Sequence, residues 1–154
     1  LVIMKKLTLS LGAMICATSI LLSGCACSTK STSYKDGTYE GKSSVYQSGD
    51  GTDNGNGYGV VKITIADGKI SDCTYETYEE DGTPKGSDYG KEGGEIKNKD
   101  YYNKAQKANA ACAEYAKMLV ENGKLDGIDS ISGATINYNE FVEAVENALK
   151  QAEA

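Results

Sequence analysis

In this chain of 154 residues every one of the 16 basic side chains is lysine, and they face 22 acidic ones, for a formal charge of −6 at neutral pH. Without arginine there is no bidentate fork for guanine or phosphate, and an acidic surface repels polyanions, so nucleic acid is excluded as a partner. The lack of histidine removes the commonest metal ligand and general base, which argues against hydrolytic triads and typical zinc sites.

The first segment reads as a targeting signal. Lys5 and Lys6 precede an apolar stretch from Leu7 to Leu22, which closes with Leu22-Ser23-Gly24-Cys25. A positive start, a short apolar run and small residues before a cleavage point form the pattern of a secretory signal. The run is shorter than the ~20 residues a spanning helix requires. The Cys directly after the small pair resembles a bacterial lipobox. That resemblance implies a signal peptide over 1–24, a diacylated Cys25 as mature N-terminus, and a lipid anchor on the outward face of the cell membrane. Loss of Lys5 and Lys6 with the signal would bring the mature charge to −8. Ala26 to Lys35 is Ser, Thr and Lys without apolar period, so 25–35 is expected to be a flexible tether ahead of a single domain over 36–152.

Within that domain, Tyr34 to Gly41 reads as a turn and a short first strand. Asp50-Gly51-Thr52-Asp53-Asn54-Gly55-Asn56 has the flavour of a calcium loop but lacks the terminal bidentate Glu, and a Gly-rich hairpin loop is the preferred reading. A second strand is expected from Tyr58 to Ala66, with Val61, Ile63 and Ile65 on one face and Lys62 and Thr64 on the other. Asp67-Gly68 is a tight hairpin turn, and a third strand follows from Lys69 to about Tyr78. Glu79 to Asn98 is polar and Gly-rich and reads as a long loop. Asp100 then caps a helix that runs to about Glu121 and stops at Asn122-Gly123. Tyr101, Ala105, Ala108, Cys112, Tyr115 and Leu119 share one side of it, a stripe better read as core than as a cofactor box. Cys73 on the third strand and Cys112 on this helix could form a disulfide across the sheet–helix interface; two buried thiols are the preferred reading.

Asp129-Ser130-Ile131-Ser132-Gly133-Ala134-Thr135 leads into a second helix. Asn137 and Glu140 can form a variant capping box, and Phe141, Val142, Val145 and Leu149 recur at helical spacing. The small-residue turn suits a phosphate, because backbone N–H groups and the positive end of the helix macrodipole would converge there while Gly133 removes the side chain that would block close approach. A plain helix-entry turn without ligand is the other reading of the same residues.

This string resembles the Asp-x-x-(Ser/Thr)-Gly-Ala-(Thr/Ser) signature of the FMN-binding domain family. The Phe141 and Ala144-Val145-Glu146-Asn147-Ala148-Leu149 run that follows, the Asp36-Gly37-Thr38-Tyr39 strand and the Asp67-Gly68-Lys69-Ile70 hairpin resemble the same family in the expected order. Asn137 and Tyr138 depart from it, since many relatives have Ser or Thr after the signature; Tyr138 could pack on the flavin or be a surface aromatic. The resemblance implies an α+β fold, an antiparallel sheet packed by a long central helix and a C-terminal helix. It implies FMN as cofactor, carried covalently on Thr135, with Ser132, Gly133 and Ala134 shaping the turn and Asp129 part of what a Mg-dependent flavin transferase reads. The segment Glu80 to Asp88 resembles a loop of surface lipoproteins of this family implicated in extracellular electron transfer. A membrane quinol or NADH oxidoreductase complex is then the expected electron donor, and the chain an electron carrier without catalytic residues of its own. Non-covalent FMN binding, and a redox-silent surface lipoprotein acting in adhesion or precursor-peptide supply, stay open as alternatives.

Overall fold

The computed structural model describes residues 33–51 and 55–153. The segment read as a signal peptide, Cys16, Cys25, Cys27 and most of the expected tether lie outside the described residues, as do Thr52, Asp53 and Asn54 of the Asp50–Asn56 loop.

Alternation in the sequence builds the sheet. Strands β1 (Gly37–Lys42), β2 (Tyr58–Ala66) and β3 (Lys69–Tyr78) pair antiparallel in the order β1-β2-β3. Val61, Ile63 and Ile65 of β2 and Ile70, Cys73 and Tyr75 of β3 point to the buried face, while Lys62 and Thr74 face away. The hairpin turn has Asp67 and Gly68 at φ of 52° and 70°, the left-handed pair that matches the twist of the flanking strands. A register shift follows between Thr64 and Ile65.

Two helices cover that face, α1 (Lys99–Asn122) over β3 and α2 (Thr135–Ala152) over β1 and β2. Backbone comes close to backbone at Gly41, where an added Cβ would fall 1.9 Å from Ala144 O. Between the layers Tyr115, Phe141, Ile63, Leu119, Val61 and Val145 are fully buried. The Phe141 ring stacks 5.5 Å from that of Tyr115 and tilts against that of Tyr75 at 5.0 Å. The α+β architecture is therefore the expected one.

Both helix starts differ from expectation. Asn98 caps α1, its side chain accepting from Tyr101 N–H at 3.0 Å, and Asp100 sits in the first turn. The C-terminal stop is Gly123 at φ 72°, whose N–H donates to Leu119 O. In α2 the N-cap is Ala134, without a side-chain cap. Tyr138 N–H already donates to Ala134 O at 2.9 Å, so the ladder begins before Asn137 can cap it, and Asn137 and Glu140 lie inside the helix. The buried stripe of α2 is Phe141, Ala144, Val145, Ala148 and Ala152, with Val142 and Leu149 flanking it half-buried. Small residues form its centre because the helix lies so close to β1. Cys73 and Cys112 are free, buried thiols. Tyr34 bridges to Glu153 and Lys35 N–H donates to Ala152 O at 2.8 Å, fixing the last residues before β1 to the end of α2. Among the described residues no helix is long and apolar enough to cross a membrane, and no group of three or more acidic or cysteine side chains is arranged to hold a metal.

Candidate cofactor site

The turn between the helices is held by tyrosine hydroxyls. Tyr115, fully buried on α1, accepts from Ile131 N–H at 2.7 Å and donates to Ala134 O at 3.2 Å. Tyr138 of α2 donates to Ile128 O at 2.8 Å and packs its ring 5.7 Å from that of Tyr115. Tyr138, half-buried, thus clamps the turn. Gly133 adopts φ 85°, a left-handed conformation that costs a residue bearing Cβ about 1–2 kcal/mol.

Beside this turn lies a cavity of about 350 Å³, within the range of small-molecule sites. Gly133, Ala134 and Thr135 form part of its wall, continued by Ile136 and Asn137. Thr135 is exposed and is the first residue of α2. Asp129 and Ser132 are exposed and do not line the cavity. The facing wall comes from α1, through Tyr101, Lys104, Ala105, Ala108 and Asn109. The helical stripe therefore divides: its first half is cavity wall and its second half, Cys112, Tyr115 and Leu119, is core.

The remaining wall consists of Thr77 from the end of β3, Gly55, and Lys85 and Tyr89 from the loop over 79–98. That loop is tied down. Lys85 N–H donates to Thr77 O at 2.8 Å, Gln106 Nε2 donates to Gly86 O and Tyr89 O, and Tyr102 Oη donates to Ser87 O. Lys85 is 6% exposed despite its polar surroundings in sequence. Its ammonium donates to Gly55 O at 2.9 Å and lies 5.1 Å from the centre of the Tyr89 ring. A Cβ on Gly57, which has φ 135°, would meet Tyr78 O at 1.9 Å and Lys85 Nζ at 3.1 Å, so the chain can cross here only as glycine.

These residues fit a phosphate-bearing aromatic ligand. The N-terminus of α2 has no side-chain cap, leaving its orphan N–H groups and dipole available to an anion. Lys85 and Lys104 add positive charge, and Tyr89 and Tyr101 add aromatic surface. Thr77 Oγ1 is buried in the wall with no hydrogen-bond partner among the described residues. An orphaned buried hydroxyl costs about 1–3 kcal/mol, which a ligand's polar atom would recover. Lys85, Lys104, Tyr89, Thr77 and Asn109 escaped sequence reading. The one signal available for them was the small-residue stripe of the central helix, read as core.

Behind the wall, Glu140 is 4% exposed, and burial pushes its carboxyl up to about 7 against the opposing pull of the Lys85 ammonium. Burial also raises the Cys112 thiol and, far more, the Tyr75 phenol.

Comparison with known proteins bears on the same residues. Among solved structures, the CPE2226 protein from Clostridium perfringens superposes with a TM-score of 0.55 at 26% identity, over 77% of this chain and 88% of that one. No curated protein matches. The family model of the FMN-binding domain matches residues 54–150, a span that holds β2, β3, both helices but for the last residues of α2, and every wall residue of the cavity. The chain belongs to the FMN-binding domain family, and FMN is its cofactor.

Proposed function

We propose that this flavoprotein is a membrane-anchored electron carrier, holding FMN through a phosphoester on Thr135 and relaying electrons from a membrane quinol or NADH oxidoreductase complex to acceptors beyond the membrane. The observation that carries this reading is the position of Thr135, exposed at the first residue of α2 and bordering the cavity. A modifying enzyme can reach such a hydroxyl. A phosphate esterified to it would meet the orphan N–H groups of the first helical turn and the positive end of the macrodipole.

Threonine is a weak nucleophile and the chain has no histidine to activate it, so a separate flavin transferase must form the ester, taking FMN from FAD and releasing AMP. The exposure of Asp129 and Ser132 on the same turn supports their being read by that enzyme. Bound FMN supplies the redox chemistry, and the chain supplies placement, electrostatics and partial exclusion of water. Diacylation of Cys25 would keep the carrier at the outward face. There a covalent link prevents loss of cofactor by dilution.

Coexpression with a competent transferase should add the mass of one FMN to the peptide containing Thr135, and Thr135→Ala should leave that peptide unmodified. An unmodified wild-type peptide under these conditions refutes the covalent assignment. Mass spectrometry of the mature N-terminus from the native host should find a diacylglyceryl group on Cys25.

A further inference from the structure

Lys85 and Glu140 come from distant parts of the chain, the loop over 79–98 and the interior of α2, yet both are buried. Lys85 borders the cavity. Glu140 does not; it lies behind the wall, one helical turn beyond the wall residue Asn137, and its Oε1 has no hydrogen-bond partner among the described residues. The groups that bear on it come from each neighbouring element. The loop contributes the Lys85 ammonium, which favours the carboxylate, β3 the Tyr75 hydroxyl, which donates its proton to Asn137 O at 2.7 Å, and α1 the Cys112 thiol. At Gly59 of β2 an added Cβ would lie 3.1 Å from Glu140 Cβ and 2.7 Å from the Tyr75 ring, and at Gly57, two residues earlier, it would lie 3.1 Å from Lys85 Nζ, so missing side chains at these two positions make the space that the carboxylate, the phenol and the ammonium occupy. Burial raises the Tyr75 and Cys112 groups away from neutrality, whereas Glu140 is pushed up to about 7. Of these groups, Glu140 is the one poised to change charge near neutral pH.

We propose that Glu140 is a positioning residue that couples electron uptake at the cavity to proton uptake, with the Lys85 ammonium as the charge that links the carboxylate to the cavity. The proposal rests on flavin occupying this cavity. Reduction by an external two-electron donor, dithionite in vitro or a quinol, would oxidise that donor and place two electrons on bound flavin, which would take one proton from solvent or from the quinol and keep one net negative charge. The new charge would offset the pull of the Lys85 ammonium, held in place by Gly55 O at 2.9 Å, on the Glu140 carboxylate. A proton from solvent then forms the O–H bond of the Glu140 carboxyl, and charge is balanced. Linkage is reciprocal: whatever reduction does to the proton affinity of Glu140, the charge of Glu140 does to the reduction potential.

The test uses the FMN-loaded protein. The backbone-assigned side-chain carboxyl carbon of Glu140 is titrated by NMR in the oxidised and dithionite-reduced states, and midpoint potentials are measured from pH 5 to 9 for wild type and Glu140→Gln. The expected result is a tenfold rise in the proton affinity of Glu140 on reduction. Wild type and Glu140→Gln should then coincide at pH 5 and separate above neutrality, the variant lying higher by about 30 mV, which is that tenfold change for two electrons. Lys85→Met should shrink the separation and move what remains to higher pH, since the carboxylate loses the cation that supports it and links it to the cavity; an undiminished separation overturns the role given to Lys85. An unchanged Glu140 titration on reduction, or coincident potentials at pH 9, overturns the proposal. The wild-type titration decides the matter even if the variants fail to fold. A wild-type protein that takes up no FMN refutes the flavin site itself, a failure distinct from a loaded protein without coupling.

Discussion

Thr77 Oγ1 and Glu140 Oε1 are both buried without hydrogen-bond partners among the described residues, with different consequences. Thr77 lines the cavity, so its cost belongs to the flavin-free protein. Thr77→Val should leave that protein equally stable or more so, by about 1 kcal/mol in urea unfolding, while weakening FMN binding. Glu140 makes stability depend on pH. Its folded pKa of about 7 lies above the usual carboxylate value of 4.5, so the folded state binds the proton more tightly. Its contribution is fully present below pH 4.5 and is lost as pH rises through 7. The full loss is on the order of 3 kcal/mol. Glu140→Gln, which mimics the protonated form, should therefore match wild type at pH ~4 and exceed its stability at pH ~8, as judged by denaturant midpoints at the two pH values.

Among the elements, α2 has the tightest constraints. Its contact with β1 requires glycine at 41, because a Cβ would fall 1.9 Å from Ala144 O. Gly41→Ala must push helix and strand apart, and a loss of about 3 kcal/mol, the upper end of overpacking costs, is expected in chemical denaturation. One hydroxyl of α1, that of Tyr115, holds the turn before α2 at two points. Tyr115→Phe deletes the acceptor of Ile131 N–H and the donor to Ala134 O, at a cost of about 1–3 kcal/mol. Because the same turn presents Thr135, the proposed covalent attachment predicts slower flavinylation of this variant, whereas Gly41→Ala should act on stability first. A time course of FMN incorporation at a temperature where both variants are folded separates the two effects.

At the scale of the molecule, the described residues belong to one compact unit, and Cys73 and Cys112 lie in its core on opposite layers. Burial holds both thiols up, Cys73 to about 12, so neither should react with a thiol reagent in the native protein. Their labelling, resolved by peptide, should rise together through the global unfolding transition; early labelling of one would reveal a separate opening of its layer. What the sequence by itself determined is what obeys local rules. Alternation in β2, the Asp67-Gly68 turn and the Gly123 stop each follow from contacts within a few residues, and each was legible; the small-residue turn before Thr135 was legible as a motif, although Tyr115 of α1 holds it. The caps were misread by two or three positions because Asn98, Asp100 and Asn137 are all competent, and only the start of the hydrogen-bond ladder chooses among them. Lys85 in a polar loop and Glu140 in a helix both carried the signature of solvated residues. Only the tertiary structure decided that a loop anchored by Gln106 and Tyr102 buries Lys85 in a cavity wall, and that Gly59 opens the space Glu140 occupies. Such placements depend on packing between segments far apart in the chain, and no local pattern encodes which polar side chain that packing will enclose.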